Sequence, residues 1–454
     1  MTGTQTQAAT RSQAGGRSGS PTMRRILRRI TCPHCWEQFA PERILWISEH
    51  TDLLGDPRLG SEHQQRFLPT RFTVAGEAID GKGFPCHSLA CPKCHLSVPS
   101  ALLEMEPLFF SIFGAPASGK SFFLAAMAWE LRKTLPLTFS IGFSDADPAS
   151  NRHLHDYEES LFSSGSPKSL VPLGSLIRKT EEQGDLYDTV AFGTQTVSYP
   201  RPLLFAMQPQ SAHPSVDKMD QLSRVLCLYD NAGESFLPGK DTAANPVTRH
   251  MAQSRVLFFV FDPTQDSRFQ LQSDGHRVVQ ESSRTFRQEP VLQEAAARIR
   301  RYAGIPQKQK HRRPLIVILT KFDEWSQLLG SAPPPPPWVA VDVPRQSKPG
   351  QTRRVHALDP AAVERQSRHA REALLKLTPE IVTAAEGFAD EVIFIPVSAI
   401  GWKTQWSESS KQLSIRPADT EPHWATVPFV YALSRATPGL VPLITRKSKD
   451  RQTG

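Results

Sequence analysis

The sequence predicts an α/β fold with a small metal-binding ribbon in front of it, and three observations carry the prediction. The octet Gly114-Ala115-Pro116-Ala117-Ser118-Gly119-Lys120-Ser121 joins an apolar run, Leu108 to Phe113, to a helix-like stretch, Ser121 to Leu131. Three further apolar runs, Val225 to Tyr229, Leu315 to Leu319 and Val392 to Val397, each lead into a short polar turn, the pattern of buried strands. Two C-x-x-C pairs, Cys32/Cys35 and Cys91/Cys94, precede all of them.

The octet has the spacing G-x-x-x-x-G-K-S, which suits the wrapping of nucleotide phosphates. Gly114 and Gly119 let the backbone turn so that the amides around Ala117 and Ser118 point inward at phosphate oxygens. Lys120 can reach the β- and γ-phosphates, and the Ser121 hydroxyl can ligate Mg²⁺. The helix that follows turns its positive N-terminal end toward the same anion. These features predict a nucleoside triphosphate site.

The second strand ends in Asp230-Asn231-Ala232-Gly233-Glu234. Asp230 is placed to hold the magnesium shell, and Gly233 can offer its N–H to the γ-phosphate with no side chain in the way. The third strand ends in Thr320-Lys321-Phe322-Asp323. A carboxylate at Asp323 can accept from both N1–H and the 2-amino group of guanine, whereas adenine leaves it unpaired. Such sites reject the analogue lacking the donors by roughly 10⁴–10⁵. Lys321 would lay its stem along the base and Thr320 would brace the loop. Ser398-Ala399 follows the fourth strand, where a backbone N–H can meet guanine O6.

These four elements, in this order, resemble the GTPase domains of the translation-factor-related (TRAFAC) class of P-loop proteins, over about Leu108 to Leu433. The layout is similar to bacterial double-GTPase domains associated with conflict or defence systems. The resemblance implies a three-layer α/β/α P-loop NTPase domain and a Mg²⁺-GTP switch or hydrolase acting with partner proteins. It also implies a switch threonine, for which Thr180 is favoured and Thr189, Thr194 and Thr196 stay open. Lys120, Glu234 and Thr180 are the candidate catalytic residues. Small GTPases of this class carry glutamine where this chain has Glu234, so the catalytic role of that carboxylate is open.

Six cysteines occur in the chain, five of them before the octet. Cys32, Cys35, Cys91 and Cys94 can supply tetrahedral S₄ coordination to Zn²⁺, a closed geometry without an open position for chemistry. The gap from Cys35 to Cys91 exceeds the roughly 15–20 residues common between such knuckles, so the intervening segment must loop out. Cys86 is spare, and His87 and His95 are alternative ligands. Cys227 reads as a buried core thiol.

The expected division is a tail at 1–22, the ribbon with its insertion at 23–106, the GTPase domain at 107–435 and a basic tail at 436–454. A polyproline insertion is expected at 331–355, where Pro333 to Pro337 are consecutive prolines, and a helix from Ala361 to Ala385. The net charge of +8 sits at the ends: residues 1–30 hold six arginines and no acid, and residues 446–454 carry +3. A folded nucleic-acid patch is therefore not indicated, although the tails can touch polyanions weakly. No apolar run approaches the roughly 20 residues of a membrane span, and zinc thiolates with GTP point to the cytoplasm. The main alternative is a GTP-dependent scaffold that hydrolyses little and recruits partners through its ribbon.

Overall fold

The computed structural model describes residues 26–163, 168–177, 186–231, 233–236, 249–270, 287–330, 333–344 and 352–444. Thr180, the tail at 1–22 and the basic residues 446–454 lie outside them. In chain order the central elements are β1 (Glu106–Gly114), α1 (Lys120–Thr134), β2 (Ile141–Asp145), α2 (Arg152–Phe162), β3 (Leu203–Pro209), β4 (Arg224–Asp230) and α3 (Arg249–Gln253). They continue with β5 (Val256–Phe261), α4 (Glu289–Ala303), β6 (Leu315–Leu319), α5 (Pro360–Leu377), α6 (Pro379–Phe388), β7 (Val392–Pro396) and α7 (Val427–Ala436).

The seven strands form one mixed sheet in the order β2-β3-β4-β1-β5-β6-β7. From β4 to β7 neighbouring strands run parallel, and β3 and β2 add an antiparallel edge. Every residue of β5 and β6 is buried, because helices cover both faces and alternation with polar residues has no place there. One face carries Phe110, Ile112, Phe258, Val260, Ile316 and Ile318 against α1 and α7. The other carries Phe113, Leu257, Phe259, Phe261, Leu315 and Val317 against α4 and α6. The register matters most for function. Ile112 pairs with Asp230, Gly114 with Val260, Phe261 with Leu319, and Leu319 with Pro396. The C-terminal ends of β1, β4, β5, β6 and β7 therefore line one edge, where turns of a parallel sheet converge on a ligand.

The N-terminal part has a four-stranded sheet in the order Ser97–Val98, Leu89–Ala90, Leu45–Ile47, Arg66–Phe67. The hairpins Leu54–Asp56/Gly60–Gln64 and Ala78–Ile79/Pro85–Cys86 lie within the long excursion between the cysteine pairs. This part replaces a helix on one stretch of the main sheet. Val225, Cys227 and Tyr229 of β4 and Leu204 of β3 share a buried cluster with Cys32, Cys35, Cys91 and Cys94.

Three local readings are corrected by the structure. The single helix expected from Ala361 to Ala385 is two, α5 and α6, broken at Thr378-Pro379, because a proline ring clashes with the preceding turn and has no N–H to donate. The polyproline insertion contains an antiparallel ribbon, Trp338–Pro344 against Thr352–Leu358. Its prolines are tethered through the one polar group they offer: the Trp424 indole donates to the carbonyls of Pro334 and Pro335 at 3.0 and 3.1 Å. After α7 the chain stays packed. Leu440 and Val441 are buried, and Leu358 exchanges backbone hydrogen bonds with Pro442 and Ile444. Residues 437–444 thus belong to the body rather than to the tail.

Candidate functional site

The loop between β1 and α1 approaches its surroundings backbone to backbone. A Cβ on Gly114 would lie 2.5 Å from the Val260 carbonyl oxygen, so only glycine fits there. Ala117 and Gly119 adopt left-handed backbones with φ of 58° and 86°, which turn neighbouring amides into a concavity suited to an anion. Ser118 is buried, and its hydroxyl has no partner among the described residues. Lys120 is buried, its ammonium folding back to donate to the Gly114 and Ala115 carbonyls at 3.4 Å each. Ser121 follows in the first turn of α1.

Asp230 ends β4 beside this loop. The residue is half-buried, and its Oδ1, which is buried, has no hydrogen-bond partner among the described residues. Burial pushes its pKa up to about 6, against the pull of Lys120. A buried, unpaired carboxylate oxygen is costly unless a cation or donor meets it, so this position suits a partner of either kind. The turn after it is pinned to β1, since the Asn231 amide donates to the Ile112 carbonyl at 2.8 Å. Gly233 then packs directly on the first loop: a Cβ there would lie 2.6 Å from Pro116 N, 2.8 Å from Ala115 C and 2.9 Å from Gly114 O. Glu234 lies in the short 3-10 turn Gly233–Phe236, and its side chain is outside the described residues.

The turn after β6 meets both the loop and the turn after β7. The Thr320 hydroxyl donates to the Ser118 carbonyl at 2.8 Å, which couples the two loops through one hydrogen bond. Lys321 has a left-handed backbone, φ 53°, and its ammonium sits 2.7 Å from the Asp262 carboxylate. Burial presses its pKa down, but the Asp262 carboxylate outweighs that and the net shift is upward. Asp323 is buried and accepts from the Ser398 hydroxyl at 2.6 Å. Ser398 is fixed in turn by the Gly401 amide at 2.8 Å, with Ala399 partly buried beside it. Gly114, Ala117, Ser118, Gly119, Lys120, Ser121, Asp230, Gly233, Thr320, Lys321, Asp323, Ser398 and Ala399 therefore all lie along one sheet edge.

The four predicted cysteines come together. Their sulfur atoms lie within 4.8 Å of one another, with Cys32–Cys94 and Cys35–Cys91 both at 3.7 Å. Tetrahedral coordination at a Zn–S distance near 2.3 Å requires sulfurs about 3.8 Å apart, so the group could hold a metal ion such as zinc. The two knuckles repeat the same backbone device. Trp36 N donates to Cys32 O and His95 N to Cys91 O, with φ of 58° and 63°. The amides of His34 and Lys93 point at Sγ of Cys32 and Cys91, each at 3.4 Å. Cys86 is buried elsewhere, donating to Phe84 O. Neither histidine alternative joins the cluster: His95 pairs with Asp56 at 2.8 Å and His87 with Glu77 at 3.3 Å.

Some structurally central residues carry no sequence signal. Tyr229, one residue before Asp230, donates its hydroxyl to the Pro33 carbonyl and accepts from the Trp36 indole at 2.9 Å. His250 at the start of α3 stacks on Trp36 with ring centroids 6.0 Å apart, and burial lowers its pKa to about 3. The first cysteine knuckle is thus bolted to the strand that carries Asp230. Asp262 was detectable: it directly follows the apolar run Val256–Phe261, as Asp230 follows its own strand.

No helix among the described residues is long and apolar enough to cross a membrane. No protein-family model matches the chain. Among curated proteins, the chain is 27% identical over 249 residues to one from Mycolicibacterium smegmatis named "Putative ESX-1 scaffolding and assembly protein SaeC". The match covers 51% of this chain and 57% of that protein, so the chain spans little more than half of its relative's length.

Proposed function

We propose that this chain binds Mg²⁺–GTP along the C-terminal edge of its sheet and hydrolyses GTP as a switch acting with partner proteins. One observation carries the reading: a lysine-bearing glycine loop and a buried Asp323–Ser398 pair lie at the same edge, joined by the Thr320–Ser118 hydrogen bond. The first suits phosphates and the second suits a base with two adjacent donors. Asp323 would accept from guanine N1–H and the 2-amino group, with Ser398 holding the carboxylate in place. Lys321, oriented by Asp262, would lie along the base, and an Ala399 amide would meet O6.

At the other end the loop amides and Lys120 would hold the β- and γ-phosphates. Ser121 and the unpaired oxygen of Asp230 would hold Mg²⁺, which supplies charge neutralisation between phosphate groups. Water attacks the γ-phosphorus in line as the bond to the bridging oxygen breaks, leaving GDP and phosphate. In this scheme the Gly233 amide would face the γ-phosphate, and Thr180 and Glu234, whose side chains lie outside the described residues, would cover the cation and orient the water. The four cysteines carry a structural Zn²⁺.

The name of the M. smegmatis protein favours a second reading, in which the chain is an assembly module whose GTP state governs partner binding and whose turnover is slow. Single-turnover hydrolysis separates the two. Both rest on guanine recognition, which calorimetry tests. GTP is expected to bind roughly 10⁴-fold more tightly than ATP, and Asp323→Asn is expected to weaken GTP and favour xanthosine triphosphate. Equal affinity for ATP and GTP would remove the guanine assignment.

A further inference from the structure

A cleft of about 430 Å³ opens beside Asp230, between α1, α2 and β3. Leu124 and Leu203 give it apolar walls, and Arg152, Asp156, Arg201 and Asp230 give it charge. The two arginines differ sharply. Arg201 is committed to Asp188, with contacts of 2.6 and 3.3 Å to its two carboxylate oxygens. The guanidinium of Arg152 is exposed and has no hydrogen bond or ion pair among the described residues. It is nevertheless carried on a fixed base. The preceding Asn151 is fully buried and donates to Asp145 Oδ1 at 2.6 Å and Leu204 O at 2.9 Å. It also accepts from Leu204 N at 2.8 Å. Asp145 is clamped from its other side by Arg132 at 3.0 and 3.1 Å. The first turn of α2 is therefore locked to β3, and Arg152 borders the same cleft as the carboxylate beside the phosphate loop.

From this placement we infer that Arg152 is the arginine that this chain supplies to its own reaction, donating to the γ-phosphoryl oxygens and the bridging oxygen as GTP is cleaved. The inference rests on the GTP reading above. In the step, the water oxygen bonds to the γ-phosphorus and the γ-phosphorus–bridge bond breaks. Its electron pair stays on the β-phosphate of GDP, and the water proton passes to the released phosphate. Negative charge grows on the bridging oxygen, where a planar guanidinium can donate two parallel hydrogen bonds and an ammonium cannot. An unpaired arginine suits this task, since a charge already spent on a carboxylate has less to give.

The test uses the full chain, with Arg152→Ala and Arg152→Lys beside wild type. Three quantities are read: GTP affinity by calorimetry, single-turnover hydrolysis, and formation of the complex with GDP and aluminium fluoride, which mimics the transferring group. The inference expects GTP affinity to stay within about threefold. Hydrolysis is expected to fall by about 10³-fold or more in both variants, within the range an arginine of this kind contributes. The fluoroaluminate complex should be lost, and added guanidinium ion should restore part of the rate to Arg152→Ala alone. A merely structural role would move neither the rescue nor the trapped complex at constant affinity. If wild type binds GTP but turns over no faster than Arg152→Ala, the arginine assignment is overturned and the nucleotide reading stands. If wild type binds no guanine nucleotide, both fall.

Discussion

Gly233→Ala is the substitution whose effect the structure fixes most tightly. The added methyl would lie 2.6, 2.8 and 2.9 Å from three atoms of the Gly114–Pro116 backbone. Ordinary contact begins near 3.4 Å, so the nearest atoms must separate by about 0.8 Å, and no flexible side chain is there to yield. The first loop has nowhere to retreat, because Gly114 is itself pressed against the Val260 carbonyl. Overpacking of this kind costs about 1–3 kcal/mol. Since the strain falls on the loop that would hold the phosphates, nucleotide affinity should drop roughly 5- to 150-fold. Calorimetry with Mg²⁺–GTP reads the loss, and circular dichroism establishes that the fold survives. Wild-type affinity together with an unchanged melting temperature would refute the close approach of the two loops and the reasoning built on it.

Two further outcomes follow from buried groups. Burial raises Asp230 to about 6, so the folded, metal-free protein binds this proton more tightly than the unfolded chain. Its contribution to stability is full below the ordinary carboxylate range and disappears as pH rises through about 6. Cation binding runs the other way: the Mg²⁺-dependent part of GTP affinity should weaken up to about tenfold for each pH unit below 6, read by calorimetry between pH 7.5 and 5, and a flat profile would exclude Asp230 as the ligand. Elemental analysis should find about one zinc per chain, lost in Cys91→Ser and kept in Cys86→Ser. Because the cysteines share a buried cluster with Val225, Cys227 and Tyr229, chelation should lower the melting temperature of the main sheet as well as of the ribbon. A metal-free protein with unaltered melting would contradict that.

The parts legible in the sequence are those written in short stretches. Buried parallel strands need unbroken apolar runs, and Leu315 to Leu319 is a strand to the residue. The C-x-x-C pairs announce their knuckles, since two thiols at that spacing on a tight turn suit one metal. Proline's missing N–H separates α5 from α6 at a position that local reading alone could have found. What escaped was the hairpin behind the proline run, where a polar and basic stretch from Pro344 to Arg354 separates its apolar residues, and the packed segment at 437–444, whose apolar residues such as Leu440 and Val441 run directly into the basic residues 446–454.

By itself the sequence determined which residue types stand at the end of each strand, because backbone turn and side-chain chemistry are local properties. Only the tertiary structure decided which of those ends meet. Strand order and register bring Gly114, Asp230, Thr320 and Ser398 to one edge from positions far apart in the chain. It alone set Asp323 against Ser398, Gly233 against Pro116, and Tyr229 against the first cysteine knuckle. It also placed Arg152, unpaired among the described residues, on the cleft that Asp230 lines, while Asp188 occupied Arg201. These are contacts at long sequence separation, specified by the packing of whole elements against one another and by no motif within any one of them.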